Sequence, residues 1–192
     1  MSRPTLSRTL TALALASTLA ACGGTDDESV AGPTAPSPSA EASAAASSPP
    51  CPITATEVPA PAGASTDLEV KPVVKGTTTP PPEAVQYADL VEGDGAEAVT
   101  GSQVEVKYVG AFFDTGKEFD SSWSRGPDET LPFGICQQGV IPGFAVGPTG
   151  MKVGGRRQII IPSELGYGAQ GSPPAIPGGA ALVFVVDLVN VS

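Results

Sequence analysis

Alternation of apolar and polar residues in the second half of the chain predicts a series of short β-strands. In residues 104–109, valine and tyrosine alternate with glutamate and lysine, which is typical of a strand with one buried face. Residues 181–191 are almost all apolar or β-branched, which favours a central strand. Further strands are predicted at 85–91, 130–135 and 155–161.

One short helix is predicted between the strands at 130–135 and 155–161. Pro142 suits the first helical turn, and Gly147 followed by Pro148 ends the helix within a few residues. A turn at 113–116 leads into residues 117–120. About five antiparallel strands, with one helix covering a face of the sheet, predict an α+β domain.

Residues 22–82 show no helical or strand period and are rich in proline, serine, alanine and threonine. Every aromatic residue lies at or after Tyr87, so residues 84–192 are the part predicted to bury a core. We interpret 22–82 as a disordered, solvated tether. The alternative is that this stretch is ordered against the domain. Residues 68–74 alternate weakly and are a candidate edge strand, although Pro72 counts against it.

The first 21 residues have the features of a bacterial lipoprotein signal peptide. Arg3 and Arg8 precede an apolar run at 10–20 that is too short to cross a bilayer. Small residues then lead to Cys22, and this resembles the lipobox of bacterial lipoproteins. The resemblance implies that residues 1–21 are removed, that the Cys22 thiol is acylated, and that the lipid holds an extracytoplasmic protein on the cell membrane. The alternative is a plain secretory signal in which Cys22 is incidental.

Composition and charge exclude several classes of site. The chain contains no histidine, which removes Ser-His-Asp and Cys-His catalysis and histidine-based zinc sites. The formal net charge is −10, and an acidic surface repels phosphate backbones, so we do not expect nucleic acid as a partner. We expect neither a metal nor another cofactor.

Short motifs spread over residues 84–192 resemble those of the FKBP-type peptidyl-prolyl cis-trans isomerases, the macrolide-binding immunophilins. The motifs are VKYVG at 106–110, KEFDSS at 117–122, GVIPGF at 139–144, LGYG at 165–168, IPGGA at 176–180 and LVF at 182–184. The resemblance implies a twisted antiparallel sheet wrapped around a short helix, with a shallow apolar pocket between them. It also implies proline-containing unfolded or exported polypeptides as substrates, and macrolides as inhibitors.

Residue by residue, the resemblance assigns the pocket to mainly aromatic and aliphatic side chains. The catalytic set is Tyr108, Phe119, Asp120, Tyr167 and Phe184. The substrate-binding set is Arg125, Leu131, Val140, Ile141, Phe144 and Ile176. Arg125 is expected to pair with Asp120, and Phe144 to form the pocket floor. The Tyr167 hydroxyl and the Ile176 backbone N–H are expected to donate to substrate carbonyls.

The chemistry of prolyl isomerisation agrees with a site of this composition. Rotation about an X–Pro bond crosses a barrier of about 18–20 kcal/mol because the amide has partial double-bond character. The twisted amide is less polar than either planar form, so a dry apolar pocket destabilises the planar forms relative to it. Only such differential binding accelerates a reaction, and no nucleophile, metal or general base is required.

Two departures from the family pattern predict a roomier pocket. Leu131 stands where the family usually has an aromatic residue, and Phe144 where many members have tryptophan. We therefore expect weaker binding of bulky macrolides or an altered preference for the residue before proline. The alternative function is a non-catalytic module of the same fold that holds unfolded segments in its cleft.

Some of the singled-out residues also have purely structural interpretations. Phe184, Val183 and Tyr108, on predicted strands, are alternatively ordinary core residues, and Asp120 is alternatively a turn cap. We interpret Trp123 as a surface residue on a loop, and Arg156 with Arg157 as a solvated edge.

Cys51 and Cys136 are the cysteines that remain once Cys22 is lipidated. The compartment outside the membrane permits disulfides, so we hypothesise a Cys51–Cys136 bridge that ties the end of the tether to the domain. The alternative is two free thiols. Cys136 also stands where the family commonly has glycine.

Overall fold

The alternating segments of the sequence form strands of one seven-stranded sheet in the computed structural model, which describes residues 51–192. The strands are β1 (Thr56–Glu57), β2 (Gln86–Val91), β3 (Gln103–Phe112), β4 (Glu118–Ser121), β5 (Leu131–Gly134), β6 (Arg156–Ile161) and β7 (Leu182–Val191). The helix α1 spans Pro142–Val146, with its proline in the first turn as predicted. The predicted α+β class, with one short helix on a sheet, is therefore confirmed, and β1 and β4 extend the expected five strands to seven.

The sheet is built around its two longest strands, β3 and β7, which pair antiparallel from Val104 to Phe112. The strand order is β1-β2-β6-β7-β3-β4. Along the other edge of β3, β5 pairs with the first half of the strand and β4 with the second half. The short β1 runs parallel to β2, so the sheet is mixed where a purely antiparallel one was predicted. This arrangement brings β4, β5 and β7 around one strand.

The two faces of the sheet bury separate sets of side chains, because successive residues of a strand point to opposite faces. The inner cluster, on the face that α1 covers, includes Val104, Val106, Tyr108, Phe133, Phe144, Ile159, Ile161, Leu182, Phe184 and Val186. The outer cluster, on the opposite face, consists of Val74, Val109, Ala111, Phe113, Val183 and Val185. The pocket assigned from the sequence draws on the inner cluster.

Residues 51–83, here called the N-terminal segment, pack against the domain. Thr56 N–H donates to Val85 O at 2.9 Å, and Val58 N–H donates to Tyr87 O at 2.7 Å. Val74 is buried in the outer cluster. The predicted tether is thus wrong for residues 51–82, where the alternative of an ordered stretch holds, because this stretch covers apolar surface of the sheet. Residues 1–50, which include the predicted signal peptide and Cys22, lie outside the described residues.

The predicted edge strand at 68–74 does not form, and one carbonyl of this stretch, that of Val70, is bound instead by an arginine side chain. The Arg156 guanidinium donates to the carbonyl oxygens of Ser65, Asp67 and Val70, at 3.3, 2.7 and 3.2 Å. Arg156 is fully buried and also pairs with Asp187, with Nη2 2.7 Å from Oδ2. A buried arginine needs such a complete set of acceptors.

The neighbouring Arg157 is buried as well, so the prediction of a solvated arginine edge is wrong for both residues. Its guanidinium makes a bidentate pair with Asp89, at 2.7 and 2.9 Å, and stacks 3.9 Å from the ring centroid of Tyr87. It also donates to Gly147 O and Thr149 O, at 3.0 and 2.8 Å, just beyond α1. Arg157 therefore joins β2, β6 and the end of the helix.

A disulfide joins Cys51 to Cys136, the pairing that the sequence analysis hypothesised. The bridge closes the start of the N-terminal segment onto the loop after β5. Cys136 has φ = +60°, the one positive φ outside glycine in residues 51–192. Glycine is the residue that adopts this conformation most readily, which gives a physical reason for the glycine that the family commonly has here.

Trp123 is half-buried rather than a surface residue on a loop. It lies in a 3₁₀ turn at Ser122–Ser124 and packs against the outer cluster, with Lys107 Nζ 5.0 Å from its ring centroid. Within residues 51–192, no helix combines the length and the hydropathy needed to span a membrane.

Candidate functional site

Four aromatic rings from four different elements converge on the face of the sheet that carries α1. Phe184 on β7 lies at the centre, with ring-centroid distances of 4.8 Å to Phe144, 5.7 Å to Phe119 and 6.2 Å to Tyr108. Tyr108 and Phe144 are 5.9 Å apart and meet edge to face. These are favourable aromatic geometries, so the rings form a fixed apolar wall and floor.

Strand pairing and one glycine bring these rings together. Tyr108 and Phe184 share a face of the sheet because β3 and β7 pair with Gly110 opposite Phe184. A Cβ atom on Gly110 would lie 2.7 Å from the Phe184 ring and 2.8 Å from the Phe119 ring. Only glycine at 110 therefore lets Phe119, on the neighbouring β4, approach Phe184.

The aliphatic residues assigned to the pocket pack on the same cluster. Ile176 is buried, whereas Leu131, Val140 and Ile141 are half-buried and contact the inner cluster from the rim. Ile141 is the N-cap residue of α1, so the helix that supplies Phe144 to the floor also supplies Ile141 to the rim. The rings at the base are buried and the rim is partly open, which makes the hollow shallow.

A polar network around Asp120 closes one side of the hollow. The Tyr108 hydroxyl donates to Asp120 Oδ2, and Arg125 Nη1 donates to Asp120 Oδ1 at 2.9 Å. Arg125 Nη2 also donates to the Tyr108 oxygen at 3.1 Å. The expected Arg125–Asp120 pair is therefore present. Asp120 also accepts the N–H of Ser121 at 2.8 Å, so its turn-capping and pairing interpretations both hold.

Both tyrosines of the site stay protonated at neutral pH. Burial raises the pKa of the Tyr108 hydroxyl, the hydrogen bond to Asp120 adds to the rise, and Arg125 opposes it. Burial also raises the pKa of Tyr167, with a further contribution from the negative charge of Asp120. Each hydroxyl is therefore a hydrogen-bond donor over the physiological range.

The two hydrogen-bond donors that the sequence analysis expected differ in whether the protein itself already uses them. The Tyr167 side chain is 38% exposed, and its hydroxyl has no hydrogen-bond partner within residues 51–192. The Ile176 N–H, in contrast, donates to Ser172 O at 2.9 Å inside its own loop, so it is not a free donor, and that expectation is wrong. The Ile141 N–H finds no acceptor in the described part of the chain. Ile141 thus replaces Ile176 as the candidate backbone donor.

Sequence reasoning missed two further rings and a groove beside the hollow. Phe133 on β5 lies 5.1 Å from Phe144, and Phe112 at the end of β3 lies 5.2 Å from Phe119. Phe133 follows the alternation of its strand, and that pattern was the available signal for it. The groove runs along residues 173–181 and contains a wall from the N-terminal segment, which no local pattern indicates.

Comparison with known proteins places this site in one family. Residues 95–189 match the family model described as FKBP-type peptidyl-prolyl cis-trans isomerase. The chain is 47% identical over 120 residues to the "Probable FK506-binding protein" of Corynebacterium glutamicum, an alignment that covers 62% of this chain and 98% of the relative. It is 47% identical over 122 residues to the FK506-binding protein of Streptomyces anulatus, covering 63% of this chain and 97% of that protein. The crystal structure of AtFKBP13 matches with a TM-score of 0.51 at 34% identity, covering 58% of this chain and 96% of that one.

Proposed function

Because the chain belongs to the family of FKBP-type peptidyl-prolyl cis-trans isomerases, we propose that it isomerises X–Pro bonds of exported polypeptides at the outer face of the cytoplasmic membrane. The observation that carries the assignment of the site is the convergence of Tyr108, Phe119, Phe144 and Phe184 on one hollow.

The hollow lowers the barrier by being less favourable for the planar amide than for the twisted one. A planar X–Pro amide is charge-separated and loses hydration against the rings, whereas the amide halfway through rotation has lost that polarity. Each 1.36 kcal/mol of this difference accelerates rotation about tenfold. Phe144 and Phe184 receive the proline ring in this scheme, and Phe119 flanks it.

Hydrogen bonds at the rim orient the substrate without polarising the rotating bond. The Tyr167 hydroxyl and the Ile141 N–H are the donors that the structure leaves open, and we assign both to carbonyl oxygens of the substrate. Arg125 balances the charge of the Asp120 carboxylate, which also accepts a hydrogen bond from the Tyr108 hydroxyl, so this charge is paired. The network thus fixes the Tyr108 ring as a wall.

A direct test is the isomerisation of a Leu-Pro peptide, followed by NMR exchange or by a protease-coupled assay. The full-length chain should accelerate exchange, and Phe119→Ala should remove most of the acceleration while thermal unfolding stays cooperative. Leu90→Ala is the matched control, since Leu90 is a half-buried residue on the outer cluster. Wild-type activity equal to buffer, with peptide binding intact, would support the non-catalytic alternative. Full activity of Phe119→Ala would show that the site is misplaced.

The proposed location rests on the lipobox-like sequence that ends in Cys22 and on the Cys51–Cys136 disulfide. Disulfides persist outside the cytoplasm and are rare inside it, so the bridge supports export. Mass spectrometry of the N-terminal peptide from the membrane fraction should find an acylated Cys22. Cys22→Ser should release the protein to the soluble fraction. An unmodified Cys22 at an uncleaved N-terminus would contradict the location but not the isomerase assignment.

We further propose that macrolides of the FK506 type bind this hollow and compete with substrate, since two relatives are named as FK506-binding proteins. Phe144 on the floor and Leu131 at the rim fill less space than larger aromatic residues would. Phe144→Trp should therefore tighten macrolide binding, measured by calorimetric titration, relative to the wild type. Equal or weaker binding by Phe144→Trp would show that the floor does not limit affinity.

A further inference from the structure

A groove lined by apolar and polar residues adjoins the isomerase hollow. It lies between the turn after β3, the loop before β7 and the end of the N-terminal segment, and its volume is about 740 Å³. This volume lies within the range of about 300–1,000 Å³ that is usual for ligand sites. The groove is therefore large enough to hold part of an extended polypeptide.

The walls of the groove are mainly proline, alanine and phenylalanine. Pro173, Pro174, Ala175 and Pro177 line one side, and their side chains are exposed. Asp114 and Lys117 are the charged residues of the lining, and their charges are opposite. A ligand of matching chemistry places apolar residues against the proline and alanine side chains and carries little net charge.

The groove and the hollow share residues. Ile176 belongs to the inner cluster and also lines the groove, and Phe112 lines the groove while its ring packs 5.2 Å from Phe119. A polypeptide with its X–Pro bond against Phe119 therefore has the groove beside it.

The second wall comes from the N-terminal segment, through Thr79 and Pro81. Its position is set by a close backbone contact with the turn after β3. A Cβ atom on Gly76 would lie 2.4 Å from Asp114 O, and one on Gly116 would lie 2.5 Å from Gly76 N. Thr77 N–H donates to Phe113 O at 3.1 Å in the same contact. The segment therefore packs closely against the turn, and this packing forms the second wall of the groove.

We infer that this groove is a second substrate-binding site, which takes the apolar residues of a polypeptide next to the X–Pro bond being isomerised. The inference rests on the proposed function and adds a substrate class to it. Clients with apolar residues around proline are favoured over clients with charged residues there. The N-terminal segment then acts in substrate selection as well as in folding.

The test compares two peptides with one Ala-Leu-Pro-Phe core, the tetrapeptide itself and a longer peptide extended on both sides by alanine and leucine. The wild-type chain should show a larger kcat/KM for the longer peptide, by about fivefold, which corresponds to about 1 kcal/mol of added binding. Pro81→Asp, which places a charge on the groove wall, should abolish this advantage and leave the tetrapeptide rate unchanged. Replacing the alanine and leucine extensions of the longer peptide by aspartate should abolish the advantage in the wild type.

Thr78→Asp is the matched control, because Thr78 is an exposed neighbour on the same segment and does not line the groove. It should keep the full advantage for the longer peptide. An equal kcat/KM for both peptides in the wild type, or an unchanged advantage in Pro81→Asp, would overturn the inference while leaving the isomerase assignment intact. A wild type that is inactive on the tetrapeptide would instead reject the proposed function.

NMR shifts on the wild-type protein give a readout that does not depend on any variant. The longer peptide should shift the backbone amides of residues 177–181 and 113–117, and the tetrapeptide should shift only those of the hollow, Ile176 included. Identical shift maps for the two peptides would remove the groove from the substrate path.

Discussion

Arg156 and Asp187 form a buried ion pair between neighbouring strands, with Arg156 Nη2 2.7 Å from Asp187 Oδ2. The same guanidinium donates to three carbonyl oxygens of the N-terminal segment. The pair therefore serves as the attachment point through which residues 65–70 are held on the sheet. Removal of the segment would take these three acceptors away from Arg156.

Asp187→Asn should lower the free energy of unfolding by about 3 kcal/mol, because it leaves the Arg156 charge buried without its partner. Lys71→Ala provides a comparison, since Lys71 forms an exposed pair with Glu118 at 2.8 Å, and loss of such a pair costs about 0–1 kcal/mol. Denaturant unfolding of both variants measures the difference. Similar losses in the two variants would mean that the carbonyl acceptors alone satisfy Arg156.

The disulfide makes a separate contribution to stability and imposes a backbone cost. Cys51→Ser with Cys136→Ser should lose about 4 kcal/mol, since the chain-entropy model assigns that much to a long closed loop. Cys51→Ser with Cys136→Gly should be more stable than the double serine variant by about 1 kcal/mol, because residue 136 has φ = +60°. Thermal unfolding compares the two. A serine variant as stable as the glycine variant would mean that the loop relaxes its backbone once the bridge is gone.

Local patterns predicted the helix and five of the seven strands, because the signal for each of these lies within a few residues, whereas the short β1 and β4 were not predicted. The alternation at 104–109 and the proline at the start of the helix are properties of the segment itself. The ion-pair partners of Arg156 and Arg157 cannot be identified from the segment that carries these arginines. Asp187 and Asp89 are distant in the sequence, so two adjacent arginines look like an exposed edge until the sheet register is known.

The site was predictable as a set of residues but not as a set of hydrogen bonds. Motif resemblance assigned Tyr108, Phe119 and Phe184 to one pocket, and the structure brings their rings together. It could not indicate that Ile176 N–H is used within its own loop while Ile141 N–H is open, because that depends on loop conformation. The ordered N-terminal segment was missed because it is held by hydrogen bonds to groups distant in the sequence. Such contacts leave no periodic pattern in the segment itself.

Ile141→Pro and Ile141→Ala separate the backbone donor from the side chain. Ile141 has φ = −60°, which proline adopts without strain, so both variants lose the isoleucine side chain and only the first loses the N–H. We expect kcat/KM of Ile141→Pro on a Leu-Pro peptide to lie about tenfold below that of Ile141→Ala, as expected for loss of one hydrogen bond of about 1.4 kcal/mol. Equal rates would return the donor role to the Tyr167 hydroxyl alone.

The raised pKa values of Tyr108 and Tyr167 predict a pH dependence confined to alkaline solution. A group with a raised folded-state pKa contributes stability that is complete below its unfolded pKa, about 10 for tyrosine, and is lost as the pH rises through the folded value. Stability and activity should therefore be insensitive to these groups near neutral pH and fall above about pH 10. Unfolding and activity measured against pH check this, and Tyr108→Phe should remove part of the alkaline loss. An inflection near neutral pH that Tyr108→Phe or Tyr167→Phe abolishes would contradict the raised pKa values.

The contact between Gly76 and the turn after β3 gives the last prediction. An alanine at 76 would place its Cβ 2.4 Å from Asp114 O and 2.5 Å from Thr115 C, both backbone atoms that cannot rotate away. Gly76→Ala should therefore displace the segment, cost about 1–3 kcal/mol as overpacking does, and speed proteolytic cleavage within residues 71–82. Thr78→Ala is the control, because Thr78 is exposed in the same stretch.

The same substitution should separate the groove from the hollow. If the segment forms one wall of the groove, Gly76→Ala should lose the rate advantage for the longer peptide while the tetrapeptide rate is kept, since the four converging rings lie in β3, β4, β7 and α1. Loss of both activities together would mean that the segment supports β4 and its Phe119 directly, through the Lys71–Glu118 pair at the start of that strand. Lys71→Ala, which breaks this pair without touching Gly76, distinguishes the two.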